Sequence, residues 1–314
     1  MNKNLSGISI LGGTGFIGKN LIEFLVSKNV DGINVLSRNN NPIKGISIIQ
    51  GDLLNEDALH KLVSGQKIVV NLAYIPNDYH KNIKAIEKLA NACIKAKVSK
   101  FVHLSTAVVF GRVKTSSINE ETQCNPLTEY EQTKYAIEQH LELFFKNKIE
   151  LIIIRPTAVF GEGGLNLLKI IDCLKYKSRF FNTFLIMIYG KRNMHLLPVK
   201  EVVKCIDFLL QSKKNLSGEK FIISQDQNKL NTYFELVQYL AKKLGHKPYF
   251  SLNIPLAPKL LKLILFLKGR SQVNTIQIFD SQKLYNFGFS SNVDFSKEIG
   301  ELLILLDKNE NIKY

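Results

Sequence analysis

A glycine-rich turn close to the N-terminus constrains the fold of this chain more than any other feature. Gly12, Gly15 and Gly18 are spaced three residues apart, between an apolar run at 8–11 and a helix-like run at 19–25. Glycine lets the backbone turn tightly and approach a phosphate closely. The N–H groups and the dipole of a first helical turn then attract negative charge. The arrangement predicts a dinucleotide-binding site, and the alternative is a plain turn between a strand and a helix.

The first half of the chain alternates short apolar runs with longer runs of helical periodicity. The short runs are apolar throughout, which is typical of parallel strands covered on both faces. The rhythm predicts an α/β fold with a Rossmann-type, doubly wound parallel sheet and right-handed crossovers. Strands are predicted at 8–11, 33–37, 46–50, 68–72, 101–105 and 151–154, and helices at 16–27, 57–64, 79–96 and 129–146.

The second half is less regular and predicts a smaller C-terminal α/β part. We expect residues 1–162 to form the dinucleotide-binding domain and residues 163–314 to be mainly substrate-binding. Roughly 195–224 is expected to return to the Rossmann sheet. Helices are predicted at 165–174, 200–211, 232–244, 258–267 and 295–306, strands near 195–198 and 220–224, and a further apolar run lies at 180–188.

Composition places the chain among soluble globular proteins. It has 314 residues, 45% hydrophobic and 22% charged,. No secretory signal and no membrane span are expected. The cysteines are far apart, which predicts neither a disulfide framework nor a metal site, and a cytoplasmic location fits. They are Cys93, Cys124, Cys173 and Cys205.

The net charge of +15 comes from dispersed lysines rather than from a basic block. Nucleic-acid binding is therefore not expected, although a phosphate-bearing substrate would benefit from the field. The segment 255–268 is very apolar but short, and it contains three lysines. We expect it to pack against the main body, with peripheral membrane contact as the alternative.

A second cluster of chemical groups follows the predicted fifth strand, which ends in hydroxyl residues that include Thr106. Thr128 and Glu131 have the spacing of a capping box at the start of a helix,. Tyr130 and Lys134 then lie on one helix face. An ammonium beside a phenol is expected to lower its pKa from about 10 toward working pH. Such a tyrosine can carry a proton while hydride moves to or from a nicotinamide.

A second Tyr-x-x-x-Lys pair, Tyr239 and Lys243, lies in another helical pattern. No strand ending in hydroxyl residues precedes it. We therefore interpret this second pair as ordinary helix surface.

Taken in order, these motifs resemble the extended short-chain dehydrogenases/reductases of the nucleotide-sugar epimerase/dehydratase branch. The likeness extends over nearly the whole chain. Its motifs are Gly12-Gly13-Thr14-Gly15-Phe16-Ile17-Gly18, Gly51-Asp52-Leu53, Asn71-Leu72-Ala73, Asn82, Leu104-Ser105-Thr106, Tyr130 with Lys134, Arg155-Pro156-Thr157-Ala158-Val159-Phe160-Gly161 and Leu284-Tyr285-Asn286-Phe287-Gly288-Phe289.

The resemblance implies roles for individual residues. Tyr130 matches the catalytic acid/base and Lys134 its partner. Thr106, four residues before Phe110, matches the catalytic hydroxyl in preference to Ser105. Strand-end capping is the alternative for both hydroxyls, and a helix N-cap or a turn is the alternative for Asp52. The implied cofactor-binding residues are Gly12, Thr14, Gly15, Phe16, Ile17, Gly18, Asp52, Leu53, Leu72, Ala73, Tyr130, Lys134 and Pro156.

Departures from the family pattern narrow the expected cofactor and chemistry. NAD-preferring members usually have an acidic residue at the end of the second strand, where this chain has Ser37 and Arg38,. These can bind a 2′-phosphate, so we expect NAD(P) with NADP(H) favoured; a surface arginine is the alternative. The acidic pair of dehydratases is replaced by Ala107 and Val108, which disfavours dehydration.

The sequence therefore predicts an enzyme acting on a nucleoside-diphosphate sugar, as a 4-epimerase or as a reductase of a 4-keto sugar. One alternative is a dehydrogenase/reductase of a hydrophobic, steroid-like or lipid alcohol or ketone, with the apolar runs 180–188 and 260–267 lining its pocket. The other is a non-catalytic dinucleotide-binding scaffold. The resemblance also implies a homodimer, formed through the helix near 79–96 and the helix bearing Tyr130.

Overall fold

The computed structural model describes residues 5–39, 42, 45–249, 267 and 275–311. By its internal contacts the chain divides into two units. The first comprises residues 1–109, 126–155 and 202–221, and the second comprises 110–125, 156–201 and 222–314.

Eleven strands are present in the described residues. Seven of them form one sheet in the order β10-β7-β5-β4-β1-β2-β3, and the pairs β6/β11 and β8/β9 form two small sheets. The strands are β1 (Ser6–Leu11), β2 (Asp31–Ser37), β3 (Ile46–Gln50), β4 (Ile68–Asn71), β5 (Lys100–Leu104), β6 (Ser117–Ile118), β7 (Glu150–Pro156), β8 (Ala158–Phe160), β9 (Leu196–Pro198), β10 (Glu219–Ile223) and β11 (Ile278–Phe279).

Helices connect these strands, as the right-handed crossovers of a parallel sheet require. They are α1 (Phe16–Ser27), α2 (Glu56–Val63), α3 (Tyr79–Lys95), α4 (Glu129–Phe145), α5 (Leu168–Tyr176), α6 (Arg179–Tyr189), α7 (Val199–Gln211), α8 (Tyr233–Lys243), α9 (Gln282–Asn286) and α10 (Phe295–Asn311). The predicted Rossmann-type α/β fold is confirmed.

Strand register brings the functional loops to one edge of the large sheet. Leu11 of β1 pairs with Leu36 on one side and with Asn71 on the other. Asn71 in turn pairs with His103, and Leu104 pairs with Ile154. All these pairs are parallel, so the loops that follow β1, β2, β4, β5 and β7 leave the sheet along the same edge. The strand order reverses between β1 and β4, which is where ligands bind in open α/β sheets.

Each unit has its own apolar core. In the first unit, Leu59, Leu89 and Leu141, from α2, α3 and α4, are among the residues that pack on the sheet with at most 2% of their surface exposed. Burying a leucine stabilises the fold by roughly 1.5–3 kcal/mol. In the second unit, Leu236 of α8 and Ile299 of α10 belong to a separate core.

The helix boundaries in the first half agree with the sequence pattern to within about a residue, and those in the second half differ more. The helix predicted from 165 begins at Leu168, because the turn before it places Leu167 in the left-handed region at φ 81°. The apolar run 180–188 forms α6. In the region expected to rejoin the large sheet, β10 is its edge strand and β9 pairs with β8.

The interpretation of Tyr239 as ordinary helix surface is wrong. Its side chain is half-buried against the second core, and its hydroxyl donates a hydrogen bond to the Ser296 carbonyl at 2.8 Å. The predicted helix at 258–267 and the apolar segment 255–268 lie outside the described residues, apart from Leu267. Within the described ranges, no helix is both long and apolar enough to cross a membrane.

Candidate active site

The glycine turn is packed so tightly that two of its positions exclude a side chain. Gly12 has φ +77°, and a Cβ there would lie 2.9 Å from the Ala73 nitrogen. At Gly18 a Cβ would lie 2.2 Å from the Gly12 oxygen. At Gly15 the Gly12 oxygen, at 3.2 Å, is the one neighbour within 4 Å, so this position leaves room for a ligand. The turn therefore fits a pyrophosphate in the way the sequence predicts.

Helix α1 begins directly after this turn, with Gly15 as its N-cap. Glycine offers no capping side chain, and the first turn of α1 contains no acidic residue. The first N–H groups and the positive end of the helix dipole are therefore available to an anion.

A groove of about 470 Å³ runs along the sheet edge in front of the glycine turn. It brings together nine of the predicted cofactor residues. Its lining residues are Gly12, Thr14, Gly15, Leu36, Ser37, Arg38, Gly51, Asp52, Leu53, Leu54, Leu72, Ala73, Tyr74, Ile75 and Pro76. Phe16, Ile17 and Gly18 are not among them, because they belong to the body of α1 behind the turn.

The end of β2 supplies the only arginine in the groove lining. Ser37 is buried and accepts a hydrogen bond from the Asn39 N–H at 3.2 Å. Arg38 is exposed, and its guanidinium has no ion pair within the part of the chain that the structure describes. A second cavity of about 440 Å³ adjoins both residues and also contacts Lys19 and Glu23.

Asp52 makes a local turn at the rim of the groove. Its Oδ1 accepts a hydrogen bond from the Leu54 N–H at 2.8 Å. Asn55, rather than Asp52, caps α2. The turn role weighed for Asp52 is therefore present, and the residue also lines the groove.

Two hydroxyl residues follow β5 and face different surroundings. Ser105 is buried, and its Oγ has no hydrogen-bond partner in the described residues. The Thr106 side chain lowers the pKa of the Tyr130 phenol, which favours the phenolate,. The structure thus brings Thr106 to the tyrosine, as the count back from Phe110 predicts.

Helix α4 presents Tyr130 from its first turn. The predicted capping box is present: the Glu131 N–H donates to Thr128 Oγ1 and the Thr128 N–H to Glu131 Oε2, both at 3.3 Å. These bonds fix where the helix begins and therefore where Tyr130 lies. Tyr130 keeps 42% of its surface exposed, which leaves it accessible to a ligand.

Lys134 lies one turn further along α4 and is buried. Its Nζ donates a hydrogen bond to the Leu104 carbonyl at 3.1 Å and lies 5.2 Å from the centre of the Tyr74 ring. Burial lowers the pKa of this ammonium to about 8, while the Glu138 carboxylate opposes that shift. The lysine is therefore anchored between the end of β5 and an aromatic face.

The expected lowering of the Tyr130 pKa is wrong for this structure. Desolvation around the hydroxyl raises the pKa above its ordinary value. The hydrogen bond from Thr106 lowers it, and the neighbouring Tyr74 raises it further. The physical reason is that desolvation outweighs the groups that would lower the pKa, and Lys134, whose ammonium donates to the Leu104 carbonyl, is not among those groups.

The geometry and the motif order agree with a known family. The profile of the NAD dependent epimerase/dehydratase family matches residues 8–224, which is more than half of the chain. The chain belongs to this family. The resemblance stated from the motifs is thereby confirmed.

Individual relatives of this family are distant. The chain is 30% identical over 181 residues to an uncharacterized UDP-glucose epimerase, YtcB, of Bacillus subtilis; the alignment covers 49% of this chain and 57% of that protein. The chain spans about half the length of the first curated relatives it matches, between 43% and 58%.

Solved structures share the fold over almost the full length. The dTDP-glucose 4,6-dehydratase of Bacillus anthracis in complex with NAD has a TM-score of 0.73 at 20% identity, covering 98% of each chain. The UDP-glucose 4-epimerase of Thermotoga maritima with UDP-glucose has a TM-score of 0.74 at 19% identity, covering 97% of this chain and 99% of that one.

Sequence reasoning missed Tyr74. Its ring meets the Tyr130 ring edge-on at 5.2 Å, and it also lines the groove. Burial raises the pKa of its phenol, and a hydrogen bond with the Thr133 side chain opposes that rise. Its position directly after Asn71-Leu72-Ala73 was the available signal, because that motif lies at the end of β4.

A buried polar layer lies beneath Lys134. His103 Nδ1 is 3.3 Å from Asn71 Nδ2, and burial holds the pKa of this imidazole well below its usual value.

Arg155 forms a two-bond ion pair with Glu138 of α4, at 3.1 and 2.6 Å. Pro156 is the last residue of β7 and is buried.

Proposed function

We propose that this protein is an NAD(P)-dependent enzyme that acts on a nucleoside-diphosphate sugar, as a 4-epimerase or as a reductase of a 4-keto sugar. Tyr130 is the proton carrier. Thr106 and Lys134 are its catalytic partners. The observation that carries the proposal is the proximity of Tyr130 to Thr106 and Tyr74, beside the groove that residues of the glycine turn line in part.

The proton chemistry follows from the surroundings of the phenol. In its neutral form Tyr130 can donate a proton to a carbonyl oxygen, and the raised pKa keeps it in that form,. In the opposite direction Thr106 stabilises the phenolate by donating a hydrogen bond,. Lys134 adds a positive charge one helical turn away. Tyr130 thus gives its proton to the carbonyl oxygen when a ketone is reduced and, as the phenolate, takes the hydroxyl proton when an alcohol is oxidised.

The groove fits a nicotinamide dinucleotide. Gly12 and Gly15 give the backbone the required approach, and α1 supplies free N–H groups for a pyrophosphate,. When bound, that cofactor supplies hydride acceptance and donation. Thr14, Leu53, Leu72 and Ala73 line its path.

A preference for NADP(H) is part of the proposal. Arg38 is exposed at the end of β2, Lys19 lies by the adjoining cavity, and no carboxylate follows Ser37 to repel a 2′-phosphate,. Arg38→Ala should weaken NADPH binding by roughly tenfold or more, because a charge-assisted hydrogen bond contributes roughly 1.5–3 kcal/mol. NADH binding, measured by the same fluorescence titration, serves as the control. Equal weakening of both cofactors would contradict the preference.

Dehydration is disfavoured within this chemistry. A 4,6-dehydratase needs further acid/base groups beside the sugar. Ala107 and Val108, which follow Thr106, have no ionisable group. We therefore expect UDP- and dTDP-hexoses to be epimerised, or their 4-keto forms reduced, without loss of water.

The test is a product analysis by mass spectrometry. Purified protein is incubated with UDP- and dTDP-hexoses, with their 4-keto forms and with NADPH or NADH. Stoichiometric consumption of NADPH identifies a reductase, whereas isomer formation without net consumption identifies an epimerase. Activity confined to a steroid-like or lipid ketone would overturn the sugar assignment. Full activity of Tyr130→Phe would overturn the proton assignment, because only the carrier oxygen is removed.

A further inference from the structure

A second polar cluster lies in the other unit, around the start of β9. His195 Nδ1 is 2.7 Å from Asp226 Oδ2. The Asp226 side chain is fully buried, and its Oδ2 also accepts a hydrogen bond from the Phe279 N–H at 2.8 Å. The carboxylate therefore orients the imidazole through Nδ1. The other ring nitrogen, Nε2, is left for a contact with another group.

The backbone of His195 is strained and firmly held. Its φ is 55°, in the left-handed region, which is uncommon for a residue other than glycine,. Asn231 fixes both flanks: its carbonyl accepts from the Met194 N–H, and its Oδ1 accepts from the Leu196 N–H, each at 2.8 Å. Strain that surrounding hydrogen bonds maintain is found mostly at functional sites.

The ring is oriented as well as anchored. It meets the Phe279 ring edge-on at 5.0 Å. His195 keeps 14% of its side chain exposed, and its ring contact with Asp226 is made through Nδ1. A carboxylate on Nδ1 places the proton there, so Nε2 is left as an accessible acceptor.

The cluster lies at the edge of the sheet where ligands bind. The Thr157 N–H donates to the Ile223 carbonyl, at the end of β10, at 3.1 Å, and the Ala158 N–H donates to the His195 carbonyl at 2.8 Å. Thr157 also has a buried hydroxyl without a hydrogen-bond partner in the described residues. Because carboxyl ends of parallel strands form the ligand edge of such sheets, the residues that follow β7 and β10 are candidates for ligand contact.

We infer that His195 is a substrate-binding residue whose Nε2 accepts a hydrogen bond from a hydroxyl of the hexose, with Asp226 as its positioning residue. This inference rests on the proposed function for the substrate class. It assigns hexose recognition to a residue that the motif comparison did not single out.

The test compares two substitutions that separate binding from structure. Asn tolerates a left-handed φ, and in His195→Asn the side-chain amide can still donate to Asp226 while the Nε2 position is lost. In His195→Gln the amide oxygen reaches toward the Nε2 position, while Asp226 loses its partner. Binding of UDP-glucose, UDP-galactose and dTDP-glucose is measured by calorimetry, with UDP alone as the probe that lacks a hexose.

We expect His195→Asn to weaken binding of the preferred nucleotide hexose about fivefold, since one hydrogen bond contributes roughly 1 kcal/mol. Its UDP affinity and melting temperature should stay at the wild-type values. His195→Gln should lower the melting temperature and retain more hexose affinity than His195→Asn. Unchanged hexose affinity in His195→Asn, or an equal loss for UDP, overturns the inference and leaves the proposed function standing. A wild-type protein that binds no nucleotide hexose overturns the proposed substrate class, and the inference with it.

Discussion

The chain contains two Tyr-x-x-x-Lys pairs on two helices, and their surroundings differ in every respect except spacing. Tyr130 of α4 is 42% exposed and meets Thr106 and Tyr74 beside a groove. Tyr239 of α8 is half-buried and donates its hydroxyl to the Ser296 carbonyl at 2.8 Å. The i, i+4 spacing only places two side chains on one face of a helix. The residues that this helix face contacts determine whether the Tyr/Lys pair can take part in catalysis.

The lysines differ in the same way. Lys134 is buried and bonded to the Leu104 carbonyl, whereas Lys243 is exposed and lies 5.6 Å from the ring of its own tyrosine. One turn further along, α4 has Glu138 in a buried ion pair with Arg155. At the equivalent offset, α8 has already ended and the chain has the exposed Lys247. The Tyr130–Lys134 pair is therefore followed, one helical turn further along, by a buried ion pair. The Tyr239–Lys243 pair is followed by an exposed lysine.

Replacing Lys134 or Lys243 by methionine is the strongest test of whether the two pairs differ in function. Lys134→Met should reduce turnover by roughly 10²-fold to 10⁴-fold, because it removes the proposed catalytic partner of Tyr130. Lys243→Met, the matched control, should change turnover by less than about twofold. Steady-state kinetics of both variants decide the matter. Similar effects of the two substitutions would show that the surroundings do not distinguish the pairs.

The ion pair behind Lys134 is expected to matter for stability. Glu138→Gln breaks the buried ion pair with Arg155 and should lower the free energy of unfolding by about 3–5 kcal/mol,. Glu142, on the same helix, pairs with Lys220 at 2.7 Å, and both side chains are partly exposed. Glu142→Gln should lower it by about 1 kcal/mol or less. Urea denaturation of both variants tests this, and equal losses would contradict the anchoring role of Glu138.

The lowered pKa of Lys134 predicts that the stability of the protein depends on pH in a way that Lys134→Met should remove. The folded value is about 8, and the unfolded chain holds the proton to about pH 10.4. Between these values the unfolded state binds more protons, so stability should rise with pH, by at most roughly 1.4 kcal/mol per unit. The rise should be present from pH 8 to 10 in the wild type and absent in Lys134→Met. A wild type whose stability relative to this variant stays constant over that range would show that the lysine is not desolvated.

Sequence predicted the parts of this site that local rules determine. The glycine turn, the capping box of Thr128 and Glu131, and the helix face of Tyr130 and Lys134 each depend on residues close together in the chain,. The order of the motifs then predicted the fold and the family. Thr106 was selected over Ser105 by a residue count, and the hydrogen bond to Tyr130 agrees with that choice.

The remainder depends on contacts that spacing does not encode. The expected shift of the Tyr130 pKa had the wrong sign because desolvation, which depends on the folded surroundings, raises it, while the Lys134 ammonium donates to the Leu104 carbonyl, thirty residues away. Tyr74 likewise joins the groove lining only in the fold, and the His195–Asp226 contact joins residues 31 positions apart in the chain. The two- and three-residue strands β6, β8 and β11 are too short to show a period in sequence,.

The smallest effect is expected at Tyr239. Tyr239→Phe keeps the ring packed against the second core and removes only the hydrogen bond to the Ser296 carbonyl, so it should lower the free energy of unfolding by about 0.5–1.5 kcal/mol,. Turnover and cofactor affinity should match the wild type. Tyr130→Phe should show the opposite pattern, with little change in stability, since the Tyr130 side chain is 42% exposed, and a severe loss of turnover,. Loss of turnover in Tyr239→Phe would assign chemistry to the second pair and remove the distinction between the two helices.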